Sequence, residues 1–188
     1  MPPGITNEVT FMSEQEQKHS ATERLITAYN RMMQRVKNTL DQAGDQAVPS
    51  LERNIEHAKE KAIELGELTR EEAEKIAFYL RRDMQDAGEY LARSGRELGD
   101  WLEFDIDLIE DRLLDVFSMV ADKTKLELMQ FEQELREGPA YHTGEVTGPG
   151  ALMCDACGEM VHFHTTGHIP PCPACHETHF HRPRVAEE

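Results

Sequence analysis

Cysteine is absent from the first 153 residues of this 188-residue chain, and between residues 4 and 138 proline occurs once, at Pro49. A stretch with so few prolines is free to stay helical over most of its length. Aromatic residues make up only 6% of the chain, against 39% hydrophobic and 30% charged. That balance argues against one thick core and favours helices with narrow apolar seams. Basic residues are also scarce: 20 Lys and Arg stand against 36 Asp and Glu, a formal net charge of −16. Residues 1–140 carry −12 and the remainder −4, so the deficit runs through the whole chain. Neither part clusters Lys and Arg as phosphate neutralisation requires, and direct nucleic-acid binding is not expected. No apolar run approaches the roughly 20 residues that cross a bilayer. The opening "MPPGITNEVTFMSEQEQ" lacks the basic and apolar regions of a secretory signal. The expectation is a soluble, cytoplasmic protein without membrane contact. No phosphate-binding glycine loop or nucleophile motif is present, and no enzymatic activity is expected.

What the chain does have is helical periodicity. Leu25, Tyr29, Met32, Val36, Leu40, Ala43 and Ala47 recur in steps of three and four, the spacing of one helix face. "SATE" supplies a capping box near Ser20. "AVPS" interrupts the pattern, because proline disfavours helical geometry in the residue before it. Leu51, Ile55, Ala58, Ala62 and Leu65 resume it as far as Gly66, a helix stop. "TREE" at 69–72 is a second capping box, opening a helix with Ala73, Ile76, Leu80, Met84, Ala87 and Leu91 inward. Gly95 and Gly99 weaken it, with Trp101 packing nearby. Leu102, Ile106, Ile109, Leu113, Val116 and Val120 form the most apolar seam, and "TKLE" caps a last helix carrying Leu128, Phe131 and Leu135. Met32 and Met33 read as core filler, and His19 and His57 as solvated surface.

All four cysteines lie in a 22-residue block: Cys154 and Cys157, then Cys172 and Cys175, spaced x2, x14, x2. Each Cys-x-x-Cys lets one tight turn offer two sulfurs to one ion, and two turns complete a tetrahedral shell suited to zinc or iron. Gly158 and His176 follow the two pairs, where positive φ is needed, and Pro173 stiffens the second turn. "EMVHFHTT" and "THFHRP" alternate as short strands, and their His162, His164, His179 and His181 read as exposed strand residues. Four sulfurs leave no open coordination position, so the metal is structural rather than catalytic.

Three segments taken together, "GELTREE" at 66–72, "YHTGEVTGPG" at 141–150 and the cysteine block ending in "HRP", resemble the YbeL-like zinc-ribbon family of proteobacteria. The resemblance covers about Leu65 to Pro183, and the "YHTGEV" lead-in gives it specificity. It implies an intracellular bacterial zinc-ribbon protein with Cys154, Cys157, Cys172 and Cys175 as metal ligands, and it brings no activity with it. His176 departs from the glycine common after a second knuckle.

The expected fold is mostly α: an acidic helical hairpin or coiled-coil arm, then a small C-terminal β zinc ribbon. Residues 1–12 form a disordered tail, 13–137 the arm (coiled coil or slender bundle), 141–184 the ribbon and 185–188 a tail. The leading functional reading is a non-enzymatic protein with one structural Zn2+ per chain. Its acidic arm contacts an unknown protein partner or a second copy, as a homodimer. The alternative is a nucleic-acid-associated regulator acting through a partner, since Arg182 and Arg184 are the ribbon's only basic residues. A third reading, rubredoxin-like iron electron transfer, rests on "CPAC".

Overall fold

The computed structural model describes residues 23–39, 42, 51–94 and 140–183. Several sequence expectations lie outside them. These are the terminal tails, His19, the "SATE" cap, Leu40, Ala43 and Ala47, the "AVPS" break, the Leu91 side chain, the Gly95–Gly99 break with Trp101, the 102–120 seam, the "TKLE" helix and Arg184.

Among the described residues there are three helices and six strands. Helix α1 covers 23–39, α2 is Leu51–Glu64 and α3 is Arg70–Ser94. The predicted stop and start between α2 and α3 are both present. Gly66 takes φ 65°, with its own N–H on the Ile63 carbonyl and the Glu67 N–H on that of Ala62, a Schellman closure. The Thr69 N–H donates to Glu72 at 2.9 Å and the Glu72 N–H to the Thr69 hydroxyl at 3.3 Å, a reciprocal capping box. The two helices return on each other as a hairpin, tied at the far end by Arg81, which holds Glu52 through two bonds of 2.6 and 2.7 Å.

The helical core follows the predicted seams. Tyr29, Met32, Val36, Ile55, Ala58, Ala62, Ala73, Ile76, Leu80, Met84 and Ala87 are buried, as is Met33. Leu25 is only partly buried, and Leu65 stands out at 54% exposed. The helix ends at Glu64 and the left-handed turn swings Leu65 off the seam; Leu68 is buried after the turn instead.

The C-terminal part consists of β1 (Tyr141–His142), β2 (Val146–Thr147), β3 (Gly150–Cys154), β4 (Met160–Phe163), β5 (Gly167–His168) and β6 (His179–His181). Four strands pair antiparallel in the order β1-β6-β3-β4, and β2 pairs with β5. The sequence pattern showed two of these, β4 and β6. Tyr141, Leu152, Cys154, Phe163, Ile169, Cys172 and Phe180 form their own small core. Val146 belongs to the helical core rather than this one, so β2 is a tenon from the ribbon into the helices. The described chain is thus helices plus small antiparallel sheets.

Candidate metal centre

Two similar turns build the cysteine cluster. The Cys154 N–H donates to the Glu159 carbonyl and the Gly158 N–H returns to the Cys154 carbonyl; Cys172, His176 and Glu177 repeat this pattern, with all four bonds at 2.9–3.0 Å. The turn demands a left-handed residue in fifth place, and Gly158 (φ 74°) and His176 (φ 64°) supply it. His176 is the only non-glycine with positive φ among the described residues. The first cysteine of each turn, Cys154 and Cys172, is buried in the ribbon core, while Cys157 and Cys175 are exposed. One end of the cluster is thereby fixed by packing.

The four Sγ atoms lie within 4.8 Å of one another. Cys154 faces Cys175 at 3.6 Å and Cys157 faces Cys172 at 3.6 Å. A disulfide needs about 2.05 Å, so these are free thiols. Zinc–sulfur bonds of about 2.3 Å at tetrahedral angles give edges of about 3.8 Å. The donor set and its spacing fit one tetrahedral thiophilic ion. Backbone dipoles reinforce the fit at Cys172. Burial opposes its thiolate, but the N–H groups of Cys175 and Ala174 outweigh it, lowering the thiol to about 7. Cys175 goes the other way, to about 12: the Glu177 N–H favours its thiolate, and the neighbouring sulfurs and burial override it. A cation among the sulfurs relieves that crowding.

The predicted metal residues are therefore brought together, and the four predicted histidines are not among them. His162, His164 and His179 are exposed and His181 is half-buried, as strand alternation implied. Arg182, one of the two ribbon arginines open to a basic contact under the alternative reading, is withdrawn from the surface: it is 7% exposed. Its Nη2 donates to the Thr147 hydroxyl at 3.0 Å and its Nε to the Tyr141 hydroxyl at 3.3 Å. It is a structural side chain, with its guanidinium carbon 5.3 Å from the Tyr141 ring centroid.

A buried polar seat holds the ribbon on the helices, and periodicity did not reveal it. Asp83 on α3 accepts from the Tyr29 hydroxyl and the Gly148 N–H, each at 2.7 Å, and from the Thr147 hydroxyl at 3.3 Å. Arg82 donates to Asp83 at 3.2 Å, to the Val146 carbonyl at 3.1 Å and to Glu145, and lies 3.7 Å from the Tyr141 ring centroid. Burial works against the Arg82 charge, but Asp83, Tyr141 and Glu145 more than offset it. The Tyr141 hydroxyl donates to Asp86. The available signal was Asp83 itself, an aspartate three residues after Leu80 and four before Ala87, on the apolar phase of the helix.

Residues 38–184 match the family described as a zinc-ribbon containing domain. The chain is also 33% identical over 132 residues to the "Uncharacterized protein YbeL" of Escherichia coli strain K12. The same identity and length hold for the proteins of that name in strains O6:H1 and O157:H7. Each alignment covers 68% of this chain and 79% of the relative. No solved structure matches.

Proposed function

We propose that this chain, which belongs to the YbeL-like family of zinc-ribbon containing proteins, is a non-enzymatic zinc protein that works by contact with another protein. One zinc per chain, held by Cys154, Cys157, Cys172 and Cys175, closes the two turns and makes the ribbon a rigid end-piece. The observation that carries this reading is the cluster of four sulfurs within 4.8 Å of one another, with two opposed pairs at 3.6 Å. Four thiolates fill the shell and leave no position for water or substrate, which suits structure rather than catalysis. Structural zinc contributes on the order of 10 kcal/mol to folding in zinc-finger peptides.

The acidic helices supply the contact surface. Phe78 on α3, 51% exposed, and Leu65 offer apolar points on a surface otherwise rich in carboxylates. The 102–120 seam, read from sequence, is the further candidate for pairing with a partner helix or a second copy. Cytoplasmic residence follows from the same reading, because reduced cysteines suit a reducing compartment; no described helix is long and apolar enough to cross a membrane.

Metal analysis and native mass spectrometry of the purified protein test the zinc assignment. The expected result is one zinc per chain in a colourless preparation. A red, iron-containing protein replaces this reading with electron transfer. Affinity purification from native cells tests the contact assignment, and recovery of the chain without a stoichiometric protein or second copy overturns it.

A further inference from the structure

The outer face of the four-stranded sheet is unusually rich in imidazole. Tyr141, Phe180, Cys154 and Leu152 point into the ribbon core. Strand alternation therefore turns their neighbours His142, His179 and His181 to the opposite face. His142 and His179 are direct cross-strand partners in the β1–β6 register. Their rings lie 4.9 Å apart at an interplanar angle of 76°, and both side chains are about half exposed.

The two rings are held in the same way. Nδ1 of His142 lies 3.3 Å from a Glu145 carboxylate oxygen, and Nδ1 of His179 lies 3.0 Å from Glu177. A carboxylate only accepts, so a proton on Nδ1 satisfies both contacts, and in that tautomer each Nε2 keeps its lone pair; the Thr178 hydroxyl also lies 3.2 Å from Nδ1 of His179. Neither Nε2 has a partner among the described residues. Both carboxylates are themselves anchored: Arg82 and the His142 N–H hold Glu145, and the Thr178 N–H holds Glu177 at 2.7 Å. This is the outer-shell arrangement that fixes tautomer and ring direction in histidine metal sites.

The geometry points to a second metal site on this face, formed by His142 and His179, for a divalent transition ion that favours imidazole, such as nickel, copper or zinc. Two imidazoles on adjacent strands converge on one ion, and water fills its remaining positions. The two carboxylates behind the rings raise ligand basicity and attract the cation. His181 is held in the same way, with its Nδ1 on Asp155, but the residue opposite it is Met153 rather than a histidine, and it serves as a comparison rather than a ligand. The site shares no donor with the cysteine cluster, and it offers an exchangeable ion beside the buried structural one.

The test adds Ni2+ to the full, zinc-loaded chain in a non-chelating buffer. Binding is measured by calorimetry, and paramagnetic broadening is read on the imidazole nitrogens. One nickel beyond the resident zinc is expected, broadening His142 and His179 first. His142→Ala and His179→Ala each weaken binding at least about tenfold, and Glu177→Gln weakens it by about tenfold or more, the size of outer-shell losses. His57→Ala, on the exposed side of α2, leaves binding unchanged. The inference is overturned by absence of an extra ion, by release of zinc as nickel binds, or by broadening centred on other residues. Unchanged affinity in both alanine variants overturns it equally. The wild-type broadening pattern decides the matter even if a variant loses its fold.

Discussion

The Arg182 guanidinium fills the space that a side chain at Gly150 would need: a Cβ there would stand 1.9 Å from its Nη1. Gly150 also has φ 134°, a conformation that side chains resist. The last glycine of "YHTGEVTGPG" is thus the gap through which the guanidinium reaches the carbonyls of Pro149 and Ala151. Gly150→Ala imposes backbone strain of about 1–3 kcal/mol and displaces Arg182 from its partners. Urea unfolding of the zinc-loaded protein is expected to show a lowered midpoint. Gly144→Ala serves as comparison, since nothing lies within 4 Å of its would-be Cβ and it carries the strain alone.

Arg82→Met tests the polar seat. The change leaves Asp83 and Glu145 without their guanidinium in a site that solvent barely reaches. Breaking one side of a buried pair costs about 3–5 kcal/mol. The measured midpoint should fall accordingly, with zinc still bound at one per chain in the folded fraction. A loss within experimental scatter shows that Arg82 holds nothing in place.

Asp86 makes stability depend on pH. Desolvation raises its carboxyl to about 7, against the opposing pull of the Tyr141 hydroxyl and the Arg182 charge. An unfolded aspartate titrates near about 3.9. Between these values the folded protein keeps a proton that the unfolded chain has released, so stability from this group falls as pH rises through the window. Asp86→Asn retains an acceptor for Tyr141 and removes the proton linkage. Urea midpoints from about pH 5.5 to 8, where the difference between wild type and variant isolates this group, should decline in wild type relative to Asp86→Asn. Parallel curves overturn the assignment.

Cys172→Ser removes a buried sulfur from the middle of the ribbon core. Zinc content should drop well below one per chain, and dispersed amide signals after Tyr141 should collapse. The thermal midpoint of the helical signal should fall as well, because Val146 packs in the helical core and Thr147 and Gly148 bond to Asp83. A helical transition identical to wild type means that the helices stand without the ribbon.

Local rules determined much of this protein from sequence alone. The Gly66 stop, the Thr69–Glu72 box, the buried seams of α1 to α3 and the left-handed Gly158 and His176 all depend on neighbours a few residues away. So does the pairing of sulfurs within each Cys-x-x-Cys turn, and the donor chemistry followed from residue type. Tertiary structure decided what depends on contacts across the chain. It buried Arg182 against Tyr141 and Thr147 and set Asp83 under a loop 64 and 65 residues away. It also placed His142 beside His179, 37 residues on in the chain and in register across two strands. None of these pairings has a periodic signature, because each joins residues from elements that meet only when the ribbon seats on the helices or folds on itself. Desolvation then gives those meetings their energetic weight, for a charge or hydroxyl that is trivial in water must find its partner once buried.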